Sequence, residues 1–410
     1  MCSIFGAFAV GRSVDCERLA RIRERCRDRG RDGGRMELYG ADDWSAALGA
    51  WRATPTTETA AAPAQPYDGI VHNGTIANDL ELGNAEDAVD SMILPAVLDR
   101  FSVASFARSL ARVVGSYAIA VLGDDRVLLA ANYKPIHYAA IDGAVYFASM
   151  ERHLAPELPF GVRCARLTPY TALDLRTGAA IALERNRSKG VVVIASSGLD
   201  STTAAYKLAA DGHEVTLLHF DYGCRAGAQE LARVQMIAKR LGARCVVLPL
   251  NYRYAAAASV LLNEESQIAP DIAGAEFAHE WVPARNLVMI ANAVAYAEAN
   301  GLGAVALGNN LEEAGAFPDN EEQFTTLLDA ALDYAVHDGA EVRLLSPLGH
   351  LMKHEIVAEG LRLGVPYELT WSCYRGGERH CGACGPCFMR RVAFERNGAR
   401  DPAFFRAEAA

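Results

Sequence analysis

The chain has 410 residues, 51% hydrophobic and 22% charged, with a formal net charge of −10. That length accommodates two cores of ordinary size, and the acidic balance disfavours nonspecific binding along a phosphate backbone. No apolar run reaches the roughly 20 residues of a membrane span and no basic segment leads into an apolar one at the start, so a cytoplasmic protein without membrane contact is expected.

Along the first half, helical stretches are expected near residues 16–28 and 90–100. Strands are expected at 69–72 and over SYAIAVLG, RVLLAAN, HYAAI and AVYFAS. Short β-rich segments broken by turns predict an α+β sandwich. TPTTETAAAPAQP, residues 54–66, reads as a surface loop. The polar stretch ERNRSKG then leads into VVVIA, an apolar β-branched run suited to a buried parallel strand. A first domain over 1–187 follows. Beyond it come VVVIA, a helix over 201–210 closed by Gly212, EVTLLHF, a helix over 229–241 closed by Gly242, and CVVLPL. A helix within 286–300, the strand AVALG and a helix around 324–336 complete the series. This alternation predicts a doubly wound parallel sheet, placed at 188–365, with a C-terminal segment at 366–410. The arginine-rich stretches at 21–35 and 390–400 read as solvated helix faces.

Cys2 becomes an N-terminal nucleophile if Met1 is removed, with its own α-amine as the neighbouring base. An α-amine titrates at about 7.7–8.0 and a thiol near 8.5, so proton transfer between them needs little driving force. Alone, a cysteine at this position is more often a bland small residue. Its company changes that weighing: MCSIFG, RGRDG, WRATP, HNGTIAN, GSYAIAV, YKPIHY and FAS occur in this order. Together they resemble the class II glutamine amidotransferase domain, of the N-terminal nucleophile hydrolase fold, over about residues 2–185. Hydrolysis of a side-chain amide passes through an oxyanion, which an amide side chain beside a glycine N–H can receive. Asn73 and Gly74 suit that need. The resemblance implies Arg52 for the α-carboxylate of glutamine and Asp90 for its α-ammonium. Ser3 stands where the family usually has glycine.

Ser196, Ser197, Gly198, Leu199, Asp200 and Ser201 follow a buried strand and open a helix, a setting for phosphate or for an ordinary helix cap. The string resembles the SGGxDS signature of ATP pyrophosphatases, with Ser197 in place of a glycine whose loss could narrow the phosphate cradle. FDYG, VPARN, GNN, FPD, SPL with Lys353, and ELTWSCY extend the resemblance to 7-cyano-7-deazaguanine synthase over roughly residues 190–402. It implies ATP with Mg2+ at the loop and Lys353, and Asp221, Arg285, Asn286, Asn309 and Asp319 around a 7-deazaguanine. Two departures stand out. Cys224-Arg225-Ala226 replaces the usual Gln-Arg-His, and Asn320-Glu321 replaces Cys-Arg, which adds negative charge near a substrate carboxylate.

Cys373, Cys381, Cys384 and Cys387 form C-x7-C-x2-C-x2-C, the donor set of a closed structural zinc site. Cys16, Cys26, Cys164, Cys224 and Cys245 read as small buried apolar residues, and Cys224 alone lies in a substrate-side loop. The combined resemblance is to amidotransferase fusions that make archaeosine-type amidines. It implies ammonia from glutamine crossing an internal passage and adding to a 7-cyano group, giving a formamidine on a free base, tRNA or DNA. Three rivals remain: ATP-dependent conversion of 7-carboxy-7-deazaguanine to amide or nitrile, conjugation of the base to a protein amine as in phage-defence relatives, and a non-catalytic binding module.

Overall fold

The computed structural model describes residues 2–54, 63–185, 188–263, 268, 281–337 and 340–404. Met1, most of the expected 54–66 loop and part of the expected domain boundary lie outside the described residues. The chain divides into two units, Met1–Arg185 and Asn186–Ala410.

In the first unit, two antiparallel sheets follow from period-2 alternation that buries both faces of their central strands. The six-stranded sheet runs Gly33–Ala41, Trp44–Arg52, Ser3–Val10, Ala144–Ala148, His137–Ile141, Ala165–Arg166. The five-stranded sheet runs Ala180–Ala182, Thr171–Asp174, Val127–Ala131, Gly115–Leu122, Ile70–Ile76. Ile4 and Phe8 join Leu48, Val71 and Leu129 in one core between the sheets. Phe5 and Ala7 point the other way, onto Leu19, Ile22 and Cys26 of the helix Cys16–Cys26. Across the unit, Ile119 and Val121 pack on Phe106 and Leu110 of the helix Val103–Leu110. The layers are therefore helix, sheet, sheet, helix.

The helix expected at 90–100 is replaced by a 3-10 turn, Asp90–Ile93, and a single α-turn, Leu94–Val97. Asp90 is tied to the neighbouring strand, because its carboxylate accepts from the Ile76 amide at 2.6 Å, and Leu98 has already turned extended. The longer helix begins only at Val103. There Ser102 and Ser105 exchange backbone and side-chain hydrogen bonds as a capping box.

In the second unit all five strands are parallel, in the order Arg244–Pro249, Glu214–Asp221, Gly190–Ile194, Ala304–Ala306, Arg343–Leu345. The first strand in sequence lies in the middle, so the connections leave it in opposite directions and open a crevice at its carboxyl end. The helices Leu199–Ala210 and Gly227–Leu241 cover one face of the sheet, with Leu208, Val234 and Ile237 against Val193 and Leu217. Arg285–Ala299 and Glu322–Ala335 cover the other, with Ile290 and Leu332 against Val192 and Leu218. No helix among the described residues is long and apolar enough to cross a membrane.

The C-terminal helix Gly385–Arg396 is held by one fully buried guanidinium. Arg390 forks onto Asp401 at 2.6 and 2.8 Å and also donates to Thr370 Oγ1 at 2.6 Å and the Tyr367 carbonyl at 2.9 Å. Removing it would strand the Asp401 carboxylate in the interior. Arg390→Ala is expected to cost about 3–5 kcal/mol, read as a lowered urea midpoint, whereas Arg391→Ala on the exposed side of the same helix should cost under about 1 kcal/mol.

Candidate functional site

Two sets of candidate residues fall in the two units. In the first, the pairing of Ser3 with Trp51 brings Cys2 alongside Arg52, and Arg52 is in turn paired with Gly33. Cys2 is half-buried, with its sulfur 3.8 Å from the Ala53 carbonyl. The expected nucleophile, the expected carboxylate clamp and the RGRDG stretch thus share one end of the six-stranded sheet. Asn73 and Gly74 lie on the strand Ile70–Ile76. Asn73 is 2% exposed, and its side-chain amide nitrogen has no hydrogen-bond partner among the described residues. A buried donor left open costs about 1–3 kcal/mol, which an acceptor on a ligand or a water would relieve. Gly74 is obligatory, since a Cβ there would lie 1.8 Å from the Ser116 carbonyl oxygen. Asp90 is engaged locally: besides Ile76, it accepts from the Ser91 amide and hydroxyl at 2.6 and 3.0 Å. Ser91 in turn touches Nδ1 of the buried His72 at 2.7 Å.

In the second unit a cavity of about 320 Å³ opens at the carboxyl ends of the central strands. Ser196, Gly198, Leu199, Asp200 and Ser201 line it, together with Lys353, Arg285, Asn286 and Asn309. Gly308 lets the adjacent strand end approach the loop, as a Cβ there would come within 2.8 Å of the Ser201 amide. Ser197 does not line the cavity. It takes φ 60°, the conformation a glycine would supply, while its side chain is 1% exposed and turned inward. The cradle therefore keeps its backbone shape without the narrowing expected from a serine.

Lys353 sits between two carboxylates, its Nζ 2.7 Å from Asp200 Oδ2 and 2.6 Å from Glu313 Oε1. Glu313 was not anticipated from the sequence. It is set by Asn310, whose side chain caps the short turn by accepting from the Glu313 amide at 2.9 Å. Burial pushes the Asp200 carboxyl up; burial also opposes the Lys353 charge, but the two carboxylates hold the ammonium protonated. Asp200 Oδ1 is buried with no hydrogen-bond partner among the described residues. Two carboxylates, one with an open oxygen, fit a hard divalent cation as well as the ammonium.

At the other side of the cavity, the Arg285 guanidinium lies 6.0 Å over the Tyr222 ring and donates to Asn286 Oδ1 at 3.2 Å. The Asn309 side-chain nitrogen is buried without a hydrogen-bond partner among the described residues. Two expected substrate residues stand outside the lining: Asp221 is exposed and accepts from the Gly223 amide at 3.3 Å, and Asp319 is only within electrostatic reach of Arg285. Glu321 is exposed at the start of the helix Glu322–Ala335, so its charge is not presented to the cavity as its place in the sequence implied. Two lining residues, Glu230 and His219, had no sequence signal beyond their neighbours, whereas Trp371 lies within ELTWSCY. Burial pushes the Cys224 thiol up to about 12, leaving a neutral wall of the cavity.

The sulfurs of Cys373, Cys381, Cys384 and Cys387 all lie within 4.8 Å of one another, three of the four residues being buried. Amides of Cys381 and Cys384 point at the sulfurs of Cys373 and Cys381 at 3.4 and 3.3 Å, a donor shell suited to thiolates. His380 is occupied elsewhere, accepting from the Ser372 amide at 3.1 Å. The four cysteines fit a zinc ion, which would hold this segment as a closed structural site.

Two outcomes follow. Stripping metal with a chelator, or Cys384→Ala, is expected to lower the thermal midpoint, with one zinc per chain measured in the untreated protein. Burial raises the Glu230 carboxyl from 4.5 to about 7. Its folded-state value exceeds the unfolded one, so its contribution is full below pH 4.5 and is lost as pH rises to about 7. Glu230→Gln is therefore expected to stabilise the protein at pH 8 relative to pH 4, by at most about 3 kcal/mol, measured by urea unfolding at both pH values.

Residues 190–398 match the family of the queuosine biosynthesis protein QueC. A 7-cyano-7-deazaguanine synthase of Sulfolobus acidocaldarius is 38% identical over 99% of this chain and 100% of its own. One from Saccharolobus solfataricus is 40% identical over 89% of this chain and 85% of its own. A shorter one, from Methanothermobacter thermautotrophicus, is 38% identical over 52% of this chain and 98% of its own. The switch-point cavity, its loop and the four-cysteine cluster thus sit in an enzyme that belongs to the QueC family.

Proposed function

We propose that the chain is a glutamine-dependent 7-cyano-7-deazaguanine synthase. In this reading Cys2 attacks the side-chain amide of glutamine, Asn73 and Gly74 receive the oxyanion, and Arg52 and Asp90 hold the amino-acid end. Ammonia leaves, and water releases glutamate from the thioester. In the second unit a 7-carboxylate oxygen attacks the α-phosphorus of ATP and displaces pyrophosphate. Ammonia then adds to the activated carbonyl carbon and AMP departs, leaving the amide. A second ATP activates the amide oxygen in the same way, and loss of AMP with the amide protons leaves the nitrile.

The observation that carries this reading is the single cavity, which brings the 196–201 loop and the Asp200–Lys353–Glu313 cluster together with Arg285, Asn286 and Asn309. One end suits phosphates and the other a small polar heterocycle bearing an anion. When ATP brings Mg2+, Asp200 and Glu313 are the residues to hold it, and the ion would offset phosphate charge. Lys353 is then free to turn from its carboxylates to a phosphate oxygen.

An intact ATP site weighs against formamidine formation from the nitrile, because ammonia adds to a nitrile carbon without carbonyl activation. Glu321 is exposed and outside the cavity lining, so its charge does not oppose a substrate carboxylate there. The full-length relative named as a nitrile-forming synthase supports the same choice. Incubation with glutamine, ATP and 7-carboxy-7-deazaguanine, followed by mass spectrometry, is expected to show amide, then nitrile, with AMP and pyrophosphate. Cys2→Ala should abolish glutamate release yet retain nitrile formation from ammonium, whereas Lys353→Met should lower turnover by about 10²-fold or more with either nitrogen source. Formamidine made from the nitrile without ATP would establish the amidine reading instead, and a base-modified protein would establish conjugation.

A further inference from the structure

We infer that Glu230 reads the pyrimidine edge of the base, its carboxylate accepting the ring N–H and exocyclic amine of a 7-deazaguanine while Arg285 faces the C7 substituent. The inference rests on the deazaguanine reading above and adds the residue that selects that base.

Glu230 lies near the start of Gly227–Leu241, one helical turn before Val234, which packs on the sheet. It therefore points to the sheet's carboxyl edge on that face, whereas Arg285 begins the helix covering the opposite face. Both line the same cavity without forming an ion pair with each other. The Glu230 side chain makes no hydrogen bond or ion pair among the described residues. In the cavity lining it accompanies Cys224 and Ala226 from just before its own helix, and Arg285 is the charged group that acts on its carboxyl. Burial raises its carboxyl without any protein donor to compensate, a cost that a ligand with paired N–H groups would relieve.

A second open acceptor lines the cavity. His219 is 2% exposed and its Nδ1 donates to the Ala195 carbonyl at 2.9 Å, which leaves Nε2 as an acceptor. That Nε2 is buried with no partner among the described residues. The adenine of ATP, bonded to ribose through N9, offers only its amine as a donor, whereas a free 7-deazaguanine base carries an amide N–H, an amine and a pyrrole N–H. A cavity with two unpartnered acceptors is better matched to the second.

The test compares 7-carboxy-7-deazaguanine with its 2-deamino analogue, reading pyrophosphate release at saturating ATP and ammonium in wild type and Glu230→Gln. In wild type, removing the amine is expected to lower kcat/KM by about 10- to 100-fold, a measurement that needs no variant. In Glu230→Gln the two ligands should differ by no more than about threefold, with KM for ATP unchanged. Full discrimination retained by Glu230→Gln, or equal use of both ligands by wild type, overturns the inference. So does a raised KM for ATP alone, which would assign the carboxylate to the nucleotide. If no 7-deazaguanine drives pyrophosphate release in wild type, the substrate reading itself has failed, an outcome distinct from the others.

Discussion

A buried ammonium clamped by two carboxylates organises the second unit. Charges of this kind lose several kcal/mol per ion when taken from water and persist only where geometry repays them. Lys353 meets that condition with contacts of 2.7 and 2.6 Å to Asp200 and Glu313. Each partner comes from a different element: the helix after the 196–201 loop, the short turn Leu311–Ala314, and the helix Lys353–Leu363. The cluster braces all three around the crevice. Its net charge of one negative unit and the open oxygen of Asp200 leave that end of the cavity prepared for a cation.

The two units solve the same problem with opposite means. In the first, pairing register does the positioning: a strand shift of one residue would turn Cys2 away from the neighbourhood of Arg52 and move Phe5 and Phe8 to the wrong faces. In the second, topology does it. Strands that leave the centre in both directions must part at their carboxyl ends, and the loop, Arg285 and Asn309 gather at that parting. Glycine enters each site where backbone approaches backbone, at Gly74 against Ser116 and at Gly308 against Ser201.

Elements with strong periodicity and clear stops were readable in advance. The helix closed by Gly242 is the clearest case, since the chain reverses there at φ 72° as a left-handed cap requires. Stretches governed by a contact far away in sequence were not. The 90–100 segment carries helical residues, yet Asp90 is drawn to the Ile76 amide and the helix starts later. Ser197 reads as an obstruction by its side chain alone, and becomes neutral once its rotamer points inward. Asp221 and Glu321 sit within motifs that line the cavity but face solvent themselves.

Sequence by itself determined the β-rich first unit, the parallel sheet of the second, the strand-loop-helix turn at 196–201 and the spacing of the four-cysteine cluster, because hydrophobic period and ligand spacing are local properties carried within a few residues. Only the tertiary structure decided that Glu313 joins Lys353, that Glu230 and His219 line the cavity, and that Asp221 does not. Those residues are separated along the chain by tens of positions, and a single glutamate or histidine reads alike in core, surface and site. Its meaning comes from burial and from the partners that burial supplies or withholds.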